Sequence, residues 1–279
     1  MPGSNRFFHL HLISDATGET LNTVARAATA QYAAYRPIEH IYALIRTPKQ
    51  LSRVLDQIEQ QPGIVLFTII SPDLRKQLED RCQALGLPCI SILDPVINIL
   101  AQYLNAETTP QVAGQHVLNA EYFRRIDALQ FTMSHDDGQN VADLDKADVI
   151  IMGISRTSKT PTSIYLAQRG IRAANIPVIL GIPVPPQVFE LKNKLIVGLI
   201  ASADRIAQIR RNRLLSLHEG RTTDYADPRH ITQEMVLIKS LCTENNWPMI
   251  DVTRRSVEET AASIMNLIAN AESEAATSK

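Results

Sequence analysis

The residues best suited to chemistry are Gly153-Ile154-Ser155-Arg156-Thr157-Ser158-Lys159-Thr160. They follow an apolar run, Asp148 to Met152, and precede a stretch with helical spacing. A strand–loop–helix unit of this kind aims backbone N–H groups and a helix N-terminus at an anion. Lys159 can then reach an outer phosphate, and the Thr160 hydroxyl can ligate Mg²⁺. Pro161 is compatible with a first helical turn. The usual spacing is GxxxxGK[ST], and Ser158 stands where the second glycine belongs. A Cβ there disfavours left-handed backbone, so an altered cradle is expected. The plainer reading is a polar loop that only caps a helix.

Three further groups bear on chemistry, each with a bland alternative. Ser14-Asp15-Ala16-Thr17-Gly18-Glu19-Thr20 also follows a strand-like run, where a parallel sheet binds ligands. The same residues suit a turn in which Ser14 or Thr17 caps a helix. His135-Asp136-Asp137-Gly138 offers a general base or a carboxylate for Mg²⁺, or else a solvated Asp-Gly turn. Arg205, Arg210 and Arg213 share one helical segment and could clamp phosphoryl oxygens, or simply face solvent. His9, His11, His40, His116, His218 and His230 lack metal-ligand spacing, and His9 and His11 are expected on a half-buried sheet.

The elements that must hold these groups alternate along the chain. Phe7 to Ile13, Ile38 to Ile45, Ile64 to Ile70 and Pro88 to Leu93 read as strands. Amphipathic stretches at Glu19 to Tyr32 and Asp73 to Leu85, and one opened by Thr47-Pro48 with Leu51, Val54, Leu55 and Ile58 as its stripe, separate them. The β-branched run at Ile64 to Ile70 predicts a strand buried on both faces. Glu107 to Gln111 looks like a linker, and Asn119 to Phe131 like a helix carrying an Arg124-Arg125 pair. Strands then recur at Asp148 to Met152, Ile176 to Leu180, Leu195 to Ile200 and Pro248 to Val252. Helices are expected at Pro161 to Gln168, Ala203 to Leu217, Pro228 to about Asn245, and from a Ser256 cap to Ala269. The expectation is an α/β protein with parallel sheets. Its parts are an N-terminal α/β domain over 1–105, a linker and helical segment over 106–146, and a P-loop nucleotide-binding domain over 147–279.

Composition narrows the function classes. Of 279 residues, 45% are hydrophobic and 20% charged, a globular rather than disordered balance. Lys plus Arg number 28 against 29 Asp plus Glu, which gives no general attraction to nucleic acid or to a membrane surface. Aromatic residues are only 5%, too few to favour a base-stacking surface. No apolar run approaches the roughly 20 residues that cross a bilayer. The N-terminus lacks a secretory pattern, and three cysteines without CxxC spacing suggest neither zinc nor redox work. A cytoplasmic protein is expected.

Taken together, SDATGET, SHDDG, GISRTSKTPTS and GIRAAN (Gly170 to Asn175) resemble the bacterial pyruvate, phosphate dikinase regulatory proteins. The resemblance runs from about Phe7 to Ile268 and includes the serine at Ser158. A sister group that regulates phosphoenolpyruvate synthase has Ser-Asp-Gly-Thr-Ala in the first loop, so Ser14 to Thr20 places this chain with the dikinase branch. The resemblance implies a bifunctional enzyme. It would phosphorylate a dikinase threonine from ADP, releasing AMP and silencing the dikinase. It would remove that group with inorganic phosphate, yielding pyrophosphate. Gly153 to Thr160 would be the nucleotide site, with Lys159 stabilising the transferred phosphoryl, Thr160 on Mg²⁺, and Asp136, Asp137 or His135 on the acceptor side. The arginine helix is the candidate for the attacking phosphate, and a homodimer is the expected assembly. Competing expectations are the same chemistry on phosphoenolpyruvate synthase, a small-molecule P-loop kinase using ATP, and a nucleotide-sensing regulator without chemistry.

Overall fold

In a computed structural model the alternating pattern resolves into two parallel four-stranded sheets. The structure describes residues 6–109, 120–191, 194–216 and 224–277, so His116 and His218 lie outside the described residues, as do residues 110–111 of the expected linker. Two compact units are formed, Met1–Val117 and Leu118–Lys279.

The first unit runs β1 (Arg6–Ile13), α1 (Glu19–Thr29), β2 (Tyr35–Tyr42), α2 (Pro48–Gln60), β3 (Gly63–Phe67), α3 (Pro72–Ala84), β4 (Cys89–Ser91) and α4 (Asp94–Leu104). Its strand order is β2-β1-β3-β4. Thr47 starts α2 with a full capping box, accepting from the Gln50 N–H while the Gln50 side chain accepts from its own N–H. Leu51, Val54, Leu55 and Ile58 of α2 then bury against Val65 and Phe67, together with Leu74 and Leu78 of α3. On the opposite face Leu10 and Leu12 pack on Leu21 and Ala25 of α1. That cover is partial, so the expected double burial of the third strand is corrected: Ile64 is 38% exposed. Ser71 and Pro72 open α3 without a side-chain cap. Helix α4, whose own residues are nowhere buried, was not foreseen; its Asp94 pairs with Arg75.

His11 is fully buried, while its neighbours His9 and His40 are half-buried. Its Nε2–H donates to the Gln61 carbonyl at 2.8 Å, leaving Nδ1 to accept from the Tyr42 hydroxyl at 3.2 Å. The ring stacks 4.7 Å from His40, whose Nε2 lies 2.9 Å from His9 Nδ1. Burial, followed by neighbouring histidine charge, holds both His11 and His40 below the ordinary histidine pKa. An unfolded chain therefore binds protons at a higher pH than the folded one, so stability falls as pH drops through about 6.5. Urea midpoints are expected to decrease between about pH 7.5 and about pH 5.5, with a shallower decrease in His11→Gln. Equal slopes in both proteins would remove this cluster as the cause.

The second unit runs α5 (Ala120–Ser134), two 3-10 turns (Asp136–Gly138 and Val141–Lys146), β5 (Val149–Gly153), α6 (Lys159–Ala167), β6 (Ala173–Pro177), α7 (Gln187–Glu190), β7 (Leu195–Ile200), α8 (Ala203–Ser216), α9 (Pro228–Glu244), β8 (Met249–Asp251) and α10 (Val257–Thr277). Its order is β6-β5-β7-β8, the same second-first-third-fourth pattern as the first sheet. Here both faces are covered. Ile150 and Met152 pack with Ile206, Ile231 and Ile238 from α8 and α9. Val149 and Ile151 pack with Leu166 of α6 and with Ala261 and Ile264 of α10. Hence all five β5 residues are buried, as a doubly covered parallel strand requires.

Two expectations shift in this unit. Strand β6 uses Ala173–Pro177 rather than 176–180, because its register with β5 ends at the Gly153–Pro177 pair. Residues 120–146, expected as an intervening segment, belong to the second unit. The physical reason is the edge strand β6, whose outward N–H groups need acceptors. The Ala173 N–H donates to Thr132 Oγ1 at 3.1 Å, and the Asn175 N–H to the His135 carbonyl at 2.9 Å.

Candidate functional site

Strand β5 delivers the loop at the carboxyl end of the sheet, between β6 and β7 where the strand order reverses, the place parallel sheets bind ligands. Gly153 is required by close approach, since a Cβ there would meet Thr157 Oγ1 at 2.7 Å and the Leu199 carbonyl at 2.9 Å. Ile154 is buried beneath the loop, and its carbonyl accepts from both Thr157 Oγ1 at 2.9 Å and Lys159 Nζ at 3.0 Å. Arg156 and Ser158 adopt left-handed backbone at φ 75° and 61°. Ser158 thus takes the conformation glycine usually supplies, although its Cβ disfavours it. The strain of roughly 1–3 kcal/mol that such a residue carries is typical of ligand-binding loops. Ser158 makes no side-chain cap to α6, and Pro161 has no N–H, so the Lys159 and Thr160 N–H groups are left without a capping side chain or an intrahelical acceptor.

Lys159 is 6% exposed. Burial pushes its ammonium down to about 8, against the pull of Asp137 and Asp136 in the opposite direction. A buried cation on a carbonyl, at a helix start without a side-chain cap, suits an anion. Thr160 Oγ1 donates to Asp136 Oδ1 at 2.9 Å, and Asn175 Nδ2 donates to both. This links three motifs far apart in the chain. Asp137 is exposed, in left-handed backbone at φ 51°, and so holds its carboxylate at the surface beside the loop. His135 lies beneath the turn, with Nδ1 on the Phe131 carbonyl at 2.8 Å and its ring stacked on Phe131 at 3.8 Å. That interior place suits anchoring the turn rather than exchanging protons with a substrate.

The hydroxyl of Thr160 and the carboxylate of Asp136 are hard oxygen donors 2.9 Å apart, a fit for Mg²⁺. Mg²⁺ commonly takes one or two protein ligands and completes its shell with phosphate oxygens and water. Among the described residues no group of three or more His, Cys, Asp or Glu could hold a metal unaided.

The arginine helix departs from its expected role. Arg210 is fully buried beneath the loop, donating to the carbonyls of Ser155 at 3.1 Å and Tyr225 at 2.9 Å and to Glu234 Oε2 at 2.7 Å. It therefore braces the loop and is not available as a phosphate clamp, while Arg205 and Arg213 are exposed. Tyr225 was not anticipated. Its hydroxyl lies 3.1 Å from Ser155 Oγ and accepts from Arg156 Nε at 3.2 Å. Burial pushes the Tyr225 phenol up, but these bonds and the charges of Arg156 and Arg210 outweigh it and hold the group below its ordinary pKa. Asn175 and Glu234 were also missed, although Asn175 ends the GIRAAN segment. Arg210→Met would strand the Glu234 carboxylate in the interior and is expected to cost about 3–5 kcal/mol in urea unfolding. A loss under about 1 kcal/mol would rule out the brace.

Residues 10–265 match the family described as kinase/pyrophosphorylase. The chain is 57% identical to a protein of Bradyrhizobium diazoefficiens, covering 96% of each. It is 56% identical to one of Caulobacter vibrioides, over 94% of this chain and 83% of that one. A Chelativorans protein is also 56% identical, over 94% and 96% respectively. All three carry the name pyruvate, phosphate dikinase regulatory protein.

Proposed function

This chain belongs to the kinase/pyrophosphorylase family, and from that premise we propose that it regulates pyruvate, phosphate dikinase by phosphorylating and dephosphorylating a threonine of that enzyme. The donor is ADP, and the phosphate acceptor in the reverse sense is inorganic phosphate. The observation that carries this reading is the buried Lys159 at an uncapped helix start, with the Thr160–Asp136 pair next to it.

In the forward reaction the threonine oxygen attacks the β-phosphorus of ADP. The bond from that phosphorus to the α–β bridging oxygen breaks, AMP leaves, and the hydroxyl proton passes to a carboxylate. Asp137 is the candidate acceptor, being exposed beside the loop. Lys159 and the loop N–H groups bear the charge that develops on the transferred oxygens. Thr160 and Asp136 would hold Mg²⁺, which when bound offsets phosphate charge. In the reverse reaction an oxygen of inorganic phosphate attacks the phosphothreonine phosphorus. The bond to the threonine oxygen breaks, that oxygen regains a proton, and pyrophosphate leaves.

The test uses ADP labelled at the β-phosphate and dikinase phosphorylated on its catalytic histidine. Label is expected on a dikinase threonine, then in pyrophosphate after phosphate is added. Transfer only to phosphoenolpyruvate synthase would keep the chemistry and change the target. Regulation without transfer to either protein would reduce the chain to a nucleotide sensor, and turnover without a protein acceptor would make it a small-molecule kinase.

A further inference from the structure

At the opposite end of the second sheet lies a cleft of about 750 Å³. Its floor is set by the starts of the strands: Asp148 precedes β5, Arg172 precedes β6, and Lys194 precedes β7. Arg124 of α5 and Arg169, just beyond α6, form walls, and α10 closes another side. Because β5, β6 and β7 are parallel, this end is separated from the phosphate loop by the length of β5, about 16 Å at ~3.3 Å per residue. The two sites cannot share a ligand's anionic group.

Four cations and two carboxylates line the cleft, Asp127 being the second carboxylate. Asp148 is committed to Arg172, accepting from its backbone N–H at 2.7 Å and from its guanidinium at 3.5 Å. Neutral groups position two of the other cations. Arg169 lies over the Tyr165 ring, with Cζ 3.7 Å from its centroid, and donates to that residue's hydroxyl and carbonyl. Lys194 donates to the Ala147 carbonyl at 2.9 Å. Arg124 sits against Gly170, where a Cβ would come within 2.9 Å of Arg124 Nε. Gly170 also has φ 77°, so both conformation and space favour glycine there. These contacts orient positive charge without neutralising it, within a volume typical of small-molecule sites. Gly170 and Arg172 belong to the GIRAAN segment, and the proposed phosphoryl transfer uses only its last residue.

The geometry points to a second binding site here, for a small polyanion carrying phosphate or clustered carboxylate groups, distinct from the nucleotide loop. Paired arginine forks and a lysine match such groups, whereas a monoanion would leave the charge uncompensated.

Calorimetric titration of the full chain with citrate and, separately, with inorganic pyrophosphate tests this. Citrate probes the carboxylate form of the ligand and pyrophosphate the phosphate form. At least one probe is expected to bind Lys159→Met, in which the nucleotide loop is disabled, and to bind about tenfold or more weakly when Arg169→Gln/Lys194→Gln is added to that variant. Binding of neither probe to Lys159→Met, or equal binding with and without Arg169→Gln/Lys194→Gln in that background, would overturn the proposal. The wild-type chain supplies a check independent of the variant's folding. The effective probe should protect Arg169 and Arg124 from phenylglyoxal, read by mass spectrometry. Modification unchanged by either probe would equally overturn it.

Discussion

Lys159→Met is expected to lower phosphoryl transfer from ADP about a thousandfold while leaving the folded state at least as stable. The two halves of that result have one cause. The ammonium is buried and held on the Ile154 carbonyl, with its pKa pulled down to about 8 by burial. Removing a desolvated cation relieves a cost in the empty protein, yet the same cation carries the transferred charge once a phosphate arrives. A thermal midpoint that rises or holds, together with lost transfer, separates a chemical role from unfolding. The pKa adds a sign. Above about pH 8 the free protein holds Lys159 partly neutral, and a bound phosphate draws the proton back. Binding of ADP at about pH 8.5 should therefore take up protons, visible as a buffer-dependent heat, and Lys159→Met should abolish that dependence. Identical heats for wild type in buffers of different ionisation enthalpy would show that the lysine does not meet the phosphate.

Asp136→Asn should have the second-largest effect, a fall in transfer of about a hundredfold or more, with a higher Mg²⁺ requirement. Asp136 accepts from Thr160 and Asn175, and an amide would retain the size of that hub while losing its charge. Asp137→Asn provides the contrast. Its carboxylate is exposed and outside that hub, so its loss should lower the transfer rate about a hundredfold at unchanged ADP affinity and Mg²⁺ requirement. Indistinguishable magnesium dependence in the two variants would break the division of labour drawn between the two carboxylates.

Much of the architecture was legible because it depends on local pattern. Apolar runs of strand length alternating with amphipathic stretches lead to parallel sheets, and Thr47-Pro48 announces a capped helix that the structure contains. The strand–loop–helix unit at Gly153 to Thr160 was equally legible, since its residues are contiguous. What local pattern missed concerns cover and edges. Ile64 sits in a β-branched run like that of β5, yet one sheet is covered on both faces and the other only in part. Arg210 looked like its neighbours on α8, but only it points under the loop. Strand β6 was displaced by three residues because Ala173 and Ala174 bury fully while contributing little apolar signal.

The chain by itself determined the α/β class, the loop between β5 and α6 and the family, each written in residues adjacent in sequence. Tertiary structure alone decided that His135 to Gly138 stands beside that loop, because the free edge of β6 takes up the segment before β5 as a hydrogen-bonding partner. It alone made Arg210 a brace. It also gathered Arg124, Arg169, Arg172 and Lys194 into one cleft. These are meetings across 15 to 70 residues of chain, fixed by strand order and by the need to satisfy buried polar groups, and no local spacing encodes them.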